Sequence, residues 1–309
     1  MEHESTKRRI WVRLLQVVVI LALVYFVGER VQQNWGEIKA YDWHINYLLL
    51  LLSLVVMLAA LTLQSAVLSV IFGTFSRRVS FKSAFKIAYL SQLGRYIPGK
   101  IWQVFGMVYL AGKKGISKTE AITSFALAQV FTTPPAILAA MPLFFAADHS
   151  FNGSSSMRPI GIALAIVVLI SLVIVFRSSW LRSILNFFLA RLGKPSLEFD
   201  VEKKVGGKIL IMYYIGWNLY GLAFYLFLIS VSDFPTGNLV QAIGVFCAAY
   251  LVGYWSIIAP GGFGVREAVM VVFLSPYFGP GVAAAIAAFA RIWSIVGEVI
   301  ASVIALKVK

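Results

Sequence analysis

Six ionisable residues stand inside otherwise apolar stretches: Arg95, Lys100, Arg266, Glu267, Arg291 and Glu298. A charge at membrane depth costs several kcal/mol or more, so each marks a site by default. Four are cations, and the chemistry they offer is the holding of an anion. Arginine grips phosphate through a planar fork, and lysine adds a point charge. Gln92 and Gln103 flank the first cationic loop and can line the same cavity. Arg291 and Glu298 are seven apart, so two helical turns place them on one face. That spacing equally suits a structural pair in which each neutralises the other.

The loops carrying these charges are rich in helix breakers. Gly94-x-x-x-x-Gly99-Lys100 matches most of a nucleotide-binding P-loop, but Ile101 stands where Ser or Thr must hold magnesium, and apolar half-helices replace the preceding strand. A nucleotide site is therefore rejected. What survives is the break at Pro98-Gly99, which exposes backbone N–H groups beside Arg95 and Lys100 and so attracts anions. The second loop repeats the logic: Pro260, Gly261, Gly262 and Gly264 precede Arg266 at a helix start. Irregular backbone at membrane depth is tolerated where protein buries it or a wet cavity faces it. Two broken hairpins entering from opposite sides point to a transporter site near the midplane. Tight turns between short helices are the plainer reading of the same residues.

No catalytic constellation accompanies them. The sequence has no Asp-x-Asp pair, no His-x-x-x-x-Asp pattern and no Gly-x-Ser-x-Gly elbow. Its three histidines (His3, His44, His149) lie far apart, and Cys247 is the one cysteine. Neither a metal nor a cofactor is expected, and the chain is not expected to be an enzyme.

The elements that must position these residues follow from composition. Hydrophobic residues make up 60% of the 309 and charged residues only 13%, against about 25% in soluble domains. The expectation is an all-α, polytopic integral membrane protein. Apolar runs long enough to span lie at Leu14–Gly28, Ile45–Phe72, Thr119–Ala147, Pro159–Phe176, Ile209–Ser232 and Val282–Leu306. The first reads as an uncleaved signal anchor, and Pro134-Pro135 should kink the third. Ile87–Gly94 and Ile101–Gly112 are too short to cross, unless Phe81–Lys86 joins the first piece. They read as a re-entrant hairpin over about 81–112. A second hairpin is expected over 239–276, its outer arm reaching only Ser275.

Of the 27 cations, 20 cluster around residues 7–13, 77–86, 113–118, 177–208 and 307–309. Three (Arg30, Lys39, Arg158) fall on the other side and four inside the apolar regions. This split is a positive-inside signal. It gives about six full spans, two hairpins entering from opposite sides, and both termini in the cytoplasm. The basic balance thus marks topology and not nucleic-acid binding. Trp180–Leu192 carries apolar residues at helical spacing with a basic face, and reads either as a helix on the inner surface or as an extension of the preceding span.

Two segments carry a resemblance: Arg95-Tyr96-Ile97-Pro98-Gly99-Lys100-Ile101-Trp102, and Ala259-Pro260-Gly261-Gly262-Phe263-Gly264-Val265-Arg266-Glu267. They resemble the hallmark segments of a flippase-like family typified by the N-terminal membrane half of lysylphosphatidylglycerol synthases. The resemblance covers essentially the whole chain as a single domain, 1–309. It implies movement of anionic or aminoacylated phospholipid, or of polyprenyl-linked intermediates, between leaflets. No soluble synthase domain of the kind the bifunctional members carry is expected, and synthesis of lysyl lipid is not expected either. The expected setting is the cytoplasmic membrane of a bacterium or archaeon, and the expected partners are membrane lipids. The competing expectation is a non-transporting subunit that binds lipid and scaffolds a lipid-modifying enzyme or glycosyltransferase.

Overall fold

A computed structural model describes residue 29 and residues 32–75, 79–96, 101–146, 157–191, 193, 196, 199–256 and 259–308. The run Leu14–Gly28 and the basic residues before it lie outside these. All regular structure among the described residues is helical. The elements are α1 (Trp35–Ala40), α2 (Tyr47–Gly73), α3 (Phe81–Gln92), a 3-10 turn (Leu93–Tyr96), α4 (Ile101–Gly112), α5 (Lys118–Ala146) and α6 (Arg158–Phe176). They continue with α7 (Ser178–Arg191), α8 (Lys203–Val231), α9 (Leu239–Trp255), a second 3-10 turn (Pro260–Gly262) and α10 (Val265–Lys307).

Five of these helices (α2, α5, α6, α8 and α10) are long and apolar enough to cross a membrane. They correspond to the five predicted spans that fall within the described residues. Their outer faces are as apolar as their inner ones: Leu48, Leu51 and Val55 of α2 and Ile162, Ile166, Leu169 and Val173 of α6 are all exposed. So large an apolar surface fits lipid, not water. Inside, α2 packs along α8, and α5 and α9 pack on each other and on α8. Polar tips buried among the helices find partners. Trp293 Nε1 donates to Ser53 Oγ at 3.0 Å, and Trp217 Nε1 to Thr132 Oγ1 at 3.1 Å.

Helix α5 continues through Pro134, Pro135 and Pro142 without interruption. Helix α7 is separated from α6 at Arg177 (φ −100°, ψ 81°), so it is not a continuation of that span. It buries Leu181, Leu185 and Leu189 and exposes Trp180, Ile184, Phe187 and Phe188.

The last element, α10, is two helical stretches meeting at a kink. Expected to stop at Ser275 and restart at Val282, the helical path breaks between them at Gly279 (φ 77°, ψ 160°), so α10 is an arm over 265–278 followed by a span over 280–307. The arm 265–278 therefore reaches about 21 Å at 1.5 Å per residue. Pro276 and Pro280 flank this break. Glu37 of α1 packs onto it, its carboxylate filling the space a Cβ would take at Gly279 or Gly281.

Candidate functional site

The site grows from two turns. Helix α3 starts where Ser80 caps it, its hydroxyl accepting from the N–H of Ser83 at 3.3 Å. The chain then turns at Leu93–Tyr96 and returns as α4, antiparallel: Gly94 lies against the backbone of Trp102 and Gln103, and Gly106 against Ser91. Each arm has 12 residues, about 18 Å, well short of a bilayer core of about 30 Å. The second hairpin is α9, the turn at Pro260–Gly262, and the arm 265–278. Its turn holds Gly261 (φ 58°), Gly262 (φ 70°) and Gly264 (φ 77°), all in the left-handed region that a Cβ disfavours. Gly262 also lies with its absent Cβ only 3.0 Å from the backbone of Gly253. Gly262→Ala should therefore cost about 2–4 kcal/mol, read as a fall in the thermal melting point in detergent. An unchanged melting point would mean the turn has another conformation.

The two turns touch each other. Gly261 lies beside the carbonyl of Arg95 and the ring of Tyr96. The charges meet here. Arg95 Nη1 donates to Tyr250 Oη at 2.8 Å and lies 3.4 Å from Glu298 Oε1. Tyr96 Oη donates to Glu298 Oε2 at 2.6 Å. Arg291 Nη2 donates to the Gly261 carbonyl at 3.1 Å, and its guanidinium lies over Phe263, 4.1 Å from the ring centre. Arg291 Nε stands 3.7 Å from Glu267 Oε1, an ion pair by distance but too long for a hydrogen bond. Accordingly Arg291 Nε and Glu267 Oε2 are both buried without a hydrogen-bond partner among the described residues.

Arg266 differs from the other two arginines. It is 5% exposed, and its Nε is buried without a partner. Among the described residues no carboxylate lies within ion-pair distance of it. Instead its guanidinium faces the Tyr250 ring at 4.6 Å and that of Phe246 at 5.9 Å. Gly253 makes room for its stem: a Cβ there would fall 2.2 Å from Arg266 Cγ. Three guanidiniums thus face two carboxylates, leaving one positive charge in excess.

That charge faces open space. A cavity of about 280 Å³ is lined by Arg95, Gln103, Tyr250, Gly261, Gly262 and Arg266, with Phe125, Tyr254 and Trp255 beside them. A second space of about 130 Å³ adjoins it and shares Arg95, Gln103 and Tyr250. Its polar walls come from Gln64, Gln92, Gln103 and Gln129, so Gln92 and Gln103 do line one cavity. The larger space would hold roughly nine waters at about 30 Å³ each, enough for a small polar group.

A family model described as the lysylphosphatidylglycerol synthase TM region matches residues 13–302. This chain belongs to that family. No curated protein matches the chain. Membership of a lysylphosphatidylglycerol synthase TM region family and the five apolar spans together make it an integral membrane protein.

Within this family member, the residues singled out in the sequence are arranged differently from the simplest reading. Arg291 and Glu298 share a helix face but not a salt bridge: Glu298 is taken by Arg95 and Tyr96, and Arg291 by Glu267 and the Gly261 carbonyl. Both turns reach α10, and each brings a partner closer than the two residues are to each other along it. Pro98, Gly99 and Lys100 lie outside the described residues. Pro260 opens the second turn. Sequence reasoning missed Tyr250, which bonds Arg95 and faces Arg266 at once. It lies in an apolar run, where an aromatic ring signals packing before anything else.

Proposed function

We propose that this protein carries a phosphate-bearing lipid between membrane leaflets, its head group held at the cavity between the two turns. The observation that supports this most directly is Arg266, a buried cation with no carboxylate partner among the described residues, facing the cavity. A buried charge left unpaired costs several kcal/mol, and an anionic ligand offsets that cost. Arg95 adds a second fork from the opposite wall, and the glutamines offer neutral hydrogen bonds. Candidate substrates are a phospholipid, an aminoacyl-phospholipid or a polyprenyl-linked intermediate, with tails remaining in the bilayer. Movement is passive or driven by an ion gradient or potential. Purified protein in vesicles should accelerate movement of a fluorescent anionic phospholipid from one leaflet to the other. A protein that binds such lipid in vesicles yet leaves its leaflet distribution unchanged is instead a scaffold for a lipid-modifying enzyme.

The reading requires hairpins that enter from opposite faces. The ends of α3 and α4 are flanked by Lys82, Lys86, Lys113 and Lys114, which favours the cytoplasmic side. The ends of the second hairpin lack cations and carry Asp233. In a Cys247→Ala background, Lys114→Cys should react only with reagent on the cytoplasmic side, and Thr236→Cys only from the other. Lys114 is preferable to its neighbour Gly115, whose φ of 76° disfavours a side chain. External labelling at Lys114 would make the first hairpin a true span and overturn the topology.

A further inference from the structure

Glu298 is 2% exposed and holds both its oxygens on the first turn, one near Arg95 and one on the Tyr96 hydroxyl. It thereby occupies one side of a cation that also lines the cavity. An incoming phosphate that takes Arg95 by its fork competes with this carboxylate for the same guanidinium. We infer that Glu298 is an internal counter-anion, displaced from Arg95 by the lipid phosphate and neutralised as it leaves by one proton taken up from the buffered solution. This rests on the proposed anion site and adds its regulation: binding of one anionic head group is accompanied by uptake of one proton.

The surroundings decide between a proton and another cation. Around Glu298 stand Arg95 and Tyr96 of the first turn, Tyr89 of α3, Tyr220 of α8, Tyr250 of α9 and Arg291 on its own helix. Helix α2 brings no ionisable group, since Met57 packs there against Gly297 and its single tyrosine, Tyr47, is at the far end. On the second hairpin, Arg266 is to be taken by the phosphate, and Glu267 already faces Arg291 at 3.7 Å. A Glu298 released from Arg95 therefore has no uncommitted cation among the described residues. A carboxylate left buried without one takes a proton. The balance is simple: a buffer acid gives up one proton as one O–H bond forms on Glu298, and that proton's charge cancels the single negative charge of the head group, so the site gains no net charge.

Calorimetry on the detergent-solubilised full chain tests this, with dihexanoyl phosphatidylglycerol as the single-anion probe in buffers of different ionisation enthalpy at pH 7. The expected result is uptake of about one proton per bound lipid. Glu298→Gln, checked for an intact fold by its melting curve, should remove the uptake and tighten binding about tenfold, because the internal competitor is gone. If that variant fails to fold, the wild-type buffer dependence alone decides. Binding by wild type with no proton uptake would overturn the inference, showing that Glu298 re-pairs with Arg291, while leaving the anion site intact. Absence of binding by wild type would overturn both.

Discussion

Arg266→Met is expected to lower lipid translocation about 100-fold or more at matched protein levels, with a melting temperature equal to or above that of wild type. The two halves of this expectation have one cause. Arg266 is buried with an unpartnered Nε and no carboxylate beside it among the described residues, so the empty protein carries its desolvation cost without the return of a salt bridge. Methionine keeps an apolar stem against Gly253 and the rings of Tyr250 and Phe246, removes the charge, and forfeits a cation–π contact worth about 0.5–2 kcal/mol. Relief of desolvation offsets that loss. Ligand binding has no such offset, because truncating one partner of a desolvated charge pair costs about 2–5 kcal/mol. Arg266→Lys should keep partial transport, since the ammonium lacks the planar fork. Vesicle transport and thermal melting measured on the same preparations give the answer. Full transport by Arg266→Met would remove the anion site and leave the scaffold reading standing.

Much of this site was legible in the sequence because membrane depth makes charge conspicuous. Arg95, Arg266, Glu267, Arg291 and Glu298 stand out from apolar runs without any knowledge of the fold, and the Pro-Gly-Gly-x-Gly segment announces backbone that only glycine adopts easily. Hydropathy and length also placed the five long helices, because backbone hydrogen bonding in lipid leaves few alternatives to a helix. What was not legible is which charge meets which. Pairing depends on how far each turn penetrates and on what the other turn brings, and both are tertiary. Spacing along one helix left Arg291 and Glu298 either paired with each other or turned to a cavity; in the structure the turn residues Arg95 and Tyr96 claim Glu298. Tyr250 was hidden for a related reason: its hydroxyl matters only once Arg95 arrives from a segment 155 residues away. The end of the arm after Arg266 was legible, because prolines and glycines at 276–281 read as a stop. The helical path breaks there, at Gly279.

The pairing seen in the structure makes the second large effect specific. Arg291→Ala should destabilise the protein by about 3–5 kcal/mol, because it leaves the Glu267 carboxylate buried without its cation and the Gly261 carbonyl without its donor. Adding Glu267→Gln should recover part of that loss, with a coupling energy of at least about 1 kcal/mol in a double-mutant cycle. Recovery should be incomplete, since the Gly261 carbonyl stays unpaired and the contact over Phe263 is gone. Adding Glu298→Gln in place of Glu267→Gln should recover nothing and lower stability further, because Glu298 is bound to Arg95 and Tyr96 and its neutralisation strands Arg95. Melting curves of wild type, Arg291→Ala, Glu267→Gln and the two double variants, all in one detergent, measure all of these. Rescue by Glu298→Gln and not by Glu267→Gln would restore the pairing along the helix face and require Glu267, on the arm 265–278, to sit farther from Arg291 than the 3.7 Å seen between them. Rescue by Glu267→Gln alone would fix the turn against the last helix, and with it the wall that holds Arg266 at the cavity.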